Sequence, residues 1–242
     1  MLYPVNKDGE ICAQFQAEAE CLYSKGFTVH PQSENPSHFD KVIYRGFAIC
    51  NSDRYPSCHN IINTWEANKR TLYMSEYLHI IKNWTIPTFF VASLDAKEII
   101  PKMKARGWKK IFVKRDSVSL FAVGENASVW PDTSFETITD LYDQIGVTGP
   151  FAIRKYIDDP EIFYNEQRYW VLNGHVYHPN GIIPDFVAEA GRRMYAFSGS
   201  HYFTIDVAGD YIVEVNPGES SDRGGDNSLD FFCEIFAKEF LK

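Results

Sequence analysis

The stretch FTIDVAGDYIVEVNPGESSDRGG, residues 203–225, decides the fold. Two apolar runs flank Gly209-Asp210. Each carries an acid where a plain core strand would carry another apolar residue: Asp206 in the first, Glu214 in the second. Asn216 follows Glu214 two residues on, and side chains two apart on a strand share a face. A regular two-residue turn at Gly209-Asp210 would pair Asp206 with Val213 and send Glu214 to the opposite face. Bringing the three oxygen-bearing side chains together takes an odd-length connection or a bulge, expected near Ala208 to Tyr211. The plain alternative is a solvated sheet face backed by buried Ile205, Val207, Val213 and Val215. Against it stands Asn216-Pro217-Gly218, which opens a loop rich in Gly and Ser that can bring backbone close to a ligand. Asp, Glu and Asn are hard oxygen donors of the kind Mg²⁺ takes.

Working outward, the chain has 242 residues, 45% of them hydrophobic and 15% aromatic, enough for a sizeable core and against disorder. A formal net charge of −8 makes general nucleic-acid binding a poor fit, because phosphate contacts need clustered Lys and Arg. The N-terminal residues lack a secretory signal pattern, and no apolar run reaches membrane-spanning length. The five cysteines are scattered without a C-x-x-C pair, so neither a zinc site nor a disulfide framework is indicated. The expected setting is cytoplasmic, with no membrane partner. His175 and His178, three apart on a strand, face opposite ways, and Cys50, Cys58 and His59 lack a fourth ligand.

Periodicity gives a βα-rich first part, with helices over 10–25 and 64–82 and strands over 27–29 and 41–44. A central part follows: a strand at 89–91, a helix over 96–106, a strand over 110–114, a polar loop and a helix over 133–145. After Gly149-Pro150 come strands over 151–157, 168–173, 175–177, 202–207 and 211–215, with Asn173-Gly174 as a hairpin turn. Helices over 185–197 and 228–241 complete this part. The expected division is an α/β domain over 1–88, a small α+β subdomain over 89–150, and a mostly antiparallel sheet with helices over 151–242.

The pair FTIDVA and YIVEVNPG resembles the metal-binding end of the ATP-grasp fold, where an Asp on one strand and Glu-x-Asn on the next hold magnesium ions against nucleotide phosphates. The resemblance, closest to the small divergent ATP-grasp proteins of phage and mobile elements, implies the ATP-grasp fold. It implies Asp206, Glu214 and Asn216 as metal ligands, with ATP and Mg²⁺ as cofactors. In KKIFVKRDSVSLFAV it implies Lys114, at a strand end, as a phosphate-binding lysine, although a lysine there is common on any surface. In FAIRKYIDDPEIFYNEQRYWVLNGHVYH it implies a hinge strand. Arg154 and Lys155 would stand near the nucleotide there, and Tyr156 and Ile157 would offer backbone to the adenine edge. Arg168 would reach the phosphates or an acyl phosphate, with Glu166 orienting it or meeting substrate. The plain reading of Glu166 and Arg168 is a surface ion pair, worth little. On the helix over 185–197, Arg193 is expected at the reacting groups and Arg192 at the nucleotide, beside the equal alternative of two solvated arginines. The stretches VIYRGFAICNS and NTWEANKRTLYMSEYLHIIKNWTIPT resemble the family's preceding α/β domain.

The chain departs from the family pattern in two places. Arg154 and Lys155 stand where an acidic hinge residue is usual, and RDSVSLFAVGENAS has one glycine, Gly124, where the loop is usually Gly-rich. The implied activity is that of a ligase. ATP phosphorylates a carboxylate, and an amine or thiol displaces phosphate from the acyl phosphate. The expected partners are ATP and a carboxylate and amine pair, with a peptide or protein as one acceptor class. Two other readings share the ATP site: a nucleotide-binding regulatory module without turnover, and a phosphotransferase or nucleotidyltransferase.

Overall fold

The computed structural model describes residues 1–32, 39–56, 60–117, 129–131, 149–157, 165–224 and 227–241. The helix expected over 133–145, and the polar loop around Gly124, lie outside them.

The first part is a small α/β unit. Strand β1 (Leu2–Tyr3) pairs in parallel with β2 (His30–Pro31), and helix α1 (Ala13–Ser24) crosses between them. Residues 41–44 join by parallel bridges, Leu2 to Tyr44 and Val42 to Ile61, rather than as a full strand. The strand expected over 27–29 starts three residues late, at His30–Pro31, and Phe27 is buried instead in the core.

Helices α2 (Trp65–Leu72) and α3 (Met74–Ile81) replace the single helix expected over 64–82. Thr64 caps α2, its hydroxyl accepting from the Ala67 amide at 3.2 Å. The break at Tyr73 has a cause distant in sequence. The Asp116 carbonyl accepts from the Met74 amide at 2.9 Å, and the Asp116 carboxylate accepts from the Ser75 amide at 2.7 Å. A carboxylate at a helix N-terminus satisfies orphan donors and complements the dipole.

The central sheet runs β3 (Thr88–Val91), β6 (Phe151–Lys155), β4 (Lys110–Arg115), β5 (Val129–Pro131), with all neighbours antiparallel. Helix α4 (Ala96–Ala105) packs on one face through Ile99 and Met103 against Phe89, Val91, Ile111, Val113, Phe151 and Ile153. β6 belongs with β3 and β4, because its apolar residues Phe151 and Ile153 complete that core.

The second sheet runs β10 (Tyr211–Pro217), β9 (Tyr202–Ala208), β7 (Gln167–Leu172), β8 (His175–Tyr177), again antiparallel. Asn173 and Gly174 turn between β7 and β8 with φ of 48° and 82°, the left-handed pair a tight hairpin needs. Both faces of this sheet are covered. Val171, Phe203, Ile205, Val207 and Val215 pack against α3 and helix α5 (Asp185–Ser198). Trp170, Leu172 and Tyr202 pack against α1 and helix α6 (Leu229–Phe240), chiefly on Phe232 and Phe236. All seven residues of β9 are buried, so the solvated-face alternative fails for Asp206. Among the described residues, no helix is long and apolar enough to cross a membrane.

Candidate functional site

The turn between β9 and β10 is regular: Ala208 pairs with Tyr211 and Val207 with Ile212, across Gly209 at φ 56°. The expected irregularity exists but lies beyond the turn. Asp206 pairs with Glu214, leaving Val213 as the extra residue of a bulge. The bulge flips the alternation, so Glu214 and Asn216 rise on the face that carries Asp206. Three backbone groups beside it have partners outside the hairpin. The Ile212 amide donates to the Trp84 carbonyl at 2.7 Å, the Thr85 hydroxyl donates to the Ile212 carbonyl at 2.8 Å, and Arg154 Nη1 donates to the Val213 carbonyl at 2.5 Å.

On this face the polar groups interlock. Arg168, opposite Asp206 in register, donates from Nε to Oδ1 and from Nη2 to Oδ2, each at 2.7 Å. Such a fork against a carboxylate is the strong form of the ion pair. Asn216 Nδ2 donates to Asp206 Oδ2 at 2.9 Å. Lys114, buried at the end of β4, pairs with Glu214 across the two sheets. Arg168 also pairs with Asp222 in the loop after β10. That loop comes close. A Cβ at Gly224 would stand 2.9 Å from Arg168 Cβ, and Asn227 Nδ2 donates to the Arg168 carbonyl at 3.1 Å.

The electrostatics follow from crowding acids in a desolvated cleft. Burial raises the Asp206 pKa, and the negative charges of Glu214 and Asp222 add to it against the pull of Arg168. Burial would also raise Glu214, but Lys114, Asn216 and Arg154 together hold it below the usual carboxylate range. Glu166, on the exposed rim just before β7, is pushed up to about 7, first by the protein packed round its carboxyl and then by the charges of Asp206 and Glu214. The Glu214 charge thus helps to raise both Asp206 and Glu166, and a cation nearby relieves such repulsion. Among the described residues, no group of three or more His, Cys, Asp and Glu side chains could hold a metal ion. The donor set here is instead two carboxylates and an amide, which fits Mg²⁺, an ion that takes one or two carboxylates and completes its shell with water and phosphate.

The other expected residues are placed differently. Arg154 is 3% exposed, with its donors turned to Thr85, Thr88 and the Val213 carbonyl rather than to open cleft. Burial lowers its pKa. Lys155, exposed and opposite Ile111, lies by alternation on the α4 side of the central sheet, away from Lys114. The Tyr156 amide donates to the Lys110 carbonyl at 3.2 Å, and Ile157 follows half-buried. Arg192 and Arg193 are not brought to the cluster. α5 covers the opposite face of the sheet, where both arginines pair with Glu189 and Arg193 stacks 5.1 Å over Trp84.

A second polar network lies under the loop after β10, and sequence reasoning missed it. Arg45, 1% exposed, forks onto Glu18 at 2.8 and 2.9 Å and donates to the Ser221 carbonyl at 3.0 Å. It sits over the Trp170 and Phe232 rings at 5.4 and 5.0 Å. The Gly46 amide donates to the Glu219 carbonyl at 2.7 Å, and the Tyr55 hydroxyl donates to Glu219 Oε1 at 2.8 Å. Burial pushes the Glu219 carboxyl up to about 6. The available signal was of the same kind as Asp206: an arginine inside VIYRGF, and a glutamate on the apolar stripe of α1 between Phe15 and Leu22.

The architecture is the ATP-grasp fold. The chain is similar over 98% of its length to 98% of D-cycloserine synthetase DcsG, with a TM-score of 0.68 at 14% identity. It is similar over 100% of its length to 99% of the macrocyclase MdnC bound with precursor peptide MdnA from Microcystis aeruginosa MRC, with a TM-score of 0.64 at 11% identity. It is also similar over 100% of its length to 98% of the ATP-grasp ligase PsnB, complexed with minimal precursor, Mg and ADP, with a TM-score of 0.60 at 10% identity. No family model matches the chain, and no curated protein matches it.

Proposed function

We propose that this protein is an ATP- and magnesium-dependent ligase that activates a carboxylate as an acyl phosphate for attack by an amine or thiol. One observation carries the reading: the bulge brings Glu214 and Asn216 onto the face of Asp206, between Arg168 and Lys114, across the two sheets. Solved ATP-grasp ligases of the same fold, one complexed with Mg and ADP, support it.

Asp206, Glu214 and Asn216 would hold magnesium, which supplies charge neutralisation for phosphate oxygens when bound. Lys114 and Arg168 would exchange their present carboxylate partners for phosphate and acyl-phosphate oxygens, holding the reacting groups in line. Glu166 would orient Arg168 at the rim. Tyr156 and Ile157 would edge the adenine, with Lys155 at the outer margin of the hinge. The loop of Asp222 and Arg223, gripped by Arg168, would meet the acceptor. A peptide acceptor is supported by the precursor complexes of MdnC and PsnB.

The test is ATP turnover by the wild type and Glu214→Gln over a panel of acids, amines and short peptides, with mass analysis of the acceptor. An amide product with ADP, abolished in a folded Glu214→Gln protein, is expected. Turnover that survives the substitution overturns the site. Phosphate or AMP left on the acceptor overturns the ligase chemistry, and binding of ATP without ADP across the panel overturns catalysis.

A further inference from the structure

We propose that Arg154 is a positioning residue: by donating to the Val213 carbonyl it fixes the bulge that turns Glu214 toward Asp206. The proposal rests on the metal-site reading above, but its geometry can be read without it.

The turn alone does not select the bulged register. Its turn is regular, and Ile212 pairs with Val207. Regular continuation from there would pair Val213 with Asp206 and Glu214 with Ile205, placing the glutamate against Met74, Tyr77 and Ile81 on the apolar face. A bulge avoids this, but it leaves the part-buried Val213 carbonyl outside the ladder, where it needs a donor. Arg154 Nη1 supplies it at 2.5 Å. The guanidinium is aimed by two hydroxyls, with Nη2 donating to Thr85 at 3.1 Å and Nε to Thr88 at 3.3 Å. Thr85 in turn donates to the Ile212 carbonyl on the other side of the bulge. A strand of the central sheet thus sets which face a strand of the other sheet presents.

Once Val213 is deleted, Ile212 and Glu214 become consecutive, the ladder runs regularly, and Glu214 still falls opposite Asp206. Arg154 is then no longer needed for register. The experiment compares wild type, Arg154→Met, a chain with Val213 deleted, and the two changes combined. Register is read from the cross-strand nuclear Overhauser contact between the Asp206 and Glu214 backbones. Binding is read by electron paramagnetic resonance with Mn²⁺ and ADP as probe.

Arg154→Met should lose the contact and weaken Mn²⁺ binding at least tenfold, and deletion of Val213 should restore both to within about threefold of wild type. Arg154→Met that keeps the contact overturns the proposal. So does a folded deletion chain that lacks the contact, a measurement that stands even if Arg154→Met alone fails to fold. Glu214→Gln separates the two ideas: unchanged Mn²⁺ binding in that variant overturns the metal site, while the contact still decides the role of Arg154.

Discussion

Arg168 and Asp206 face each other in register on β7 and β9 and share two parallel hydrogen bonds of 2.7 Å. Asp206 is 2% exposed, so removing Arg168 strands a buried carboxylate. Arg168→Leu is expected to cost about 3 kcal/mol, the lower end for a broken buried pair because Arg168 keeps some exposure. Adding Asp206→Asn should recover most of it. Urea unfolding of the single and double variants measures both, and equal loss in the two would show that the pair is not the cause.

Glu219 gives the fold a pH slope. Its folded pKa, about 6, stands above the ordinary 4.5 because the carboxyl is buried. Below pH 4.5 both folded and unfolded chains hold the proton, and the contribution is fully present. As pH rises through 6 the folded state loses it, at a cost of about 2 kcal/mol. Glu219→Gln should flatten this part of the stability–pH curve and leave stability near pH 4.5 little changed. Thermal melts from pH 4.5 to 7.5 make the comparison.

Arg45 and Glu18 are a fully interior ion pair. Arg45→Met alone leaves Glu18 unpaired and should destabilise by about 3–5 kcal/mol, whereas Arg45→Met with Glu18→Met should lie close to wild type. The same single variant releases the carbonyl of Ser221, so the following loop should exchange its amide hydrogens faster. Hydrogen exchange across residues 218–224 gives the second readout.

Arg192 and Arg193 lie on the far face of the sheet from Asp206. Alanine at either position should change stability by about 0.5 kcal/mol or less and ATP turnover by no more than about twofold. A tenfold loss of turnover in Arg193→Ala would place that residue back in the reaction.

The shared face of Glu214 and Asn216 was legible because it follows from a local rule, the period of two along a strand, and that same rule showed that meeting Asp206 takes an odd-length connection or a bulge. The position of the bulge was not, since the groups that hold it are Trp84, Thr85 and Arg154, brought in from other lobes. The same reason explains the split between α2 and α3: Asp116 caps α3 from more than forty positions away, beyond any helical period. Alternation along β6 could have separated Arg154 from Lys155, because adjacent strand residues never share a face. Arg45 and Glu18 carried the same signal as Asp206, a charge inside an apolar pattern, and only their pairing was hidden.

The core shared by the first and last parts of the chain has a consequence for synthesis. Met1, Tyr3, Leu22 and Ile43 are buried against Trp170, Tyr202, Phe232 and Phe236. On the ribosome, Met1, Tyr3, Leu22 and Ile43 must therefore wait, their apolar faces uncovered, until Phe236 has emerged. A chain stalled before β7 would expose that surface to chaperones and proteases, and the time spent translating residues 44–236 sets how long residues 1–43 stay vulnerable.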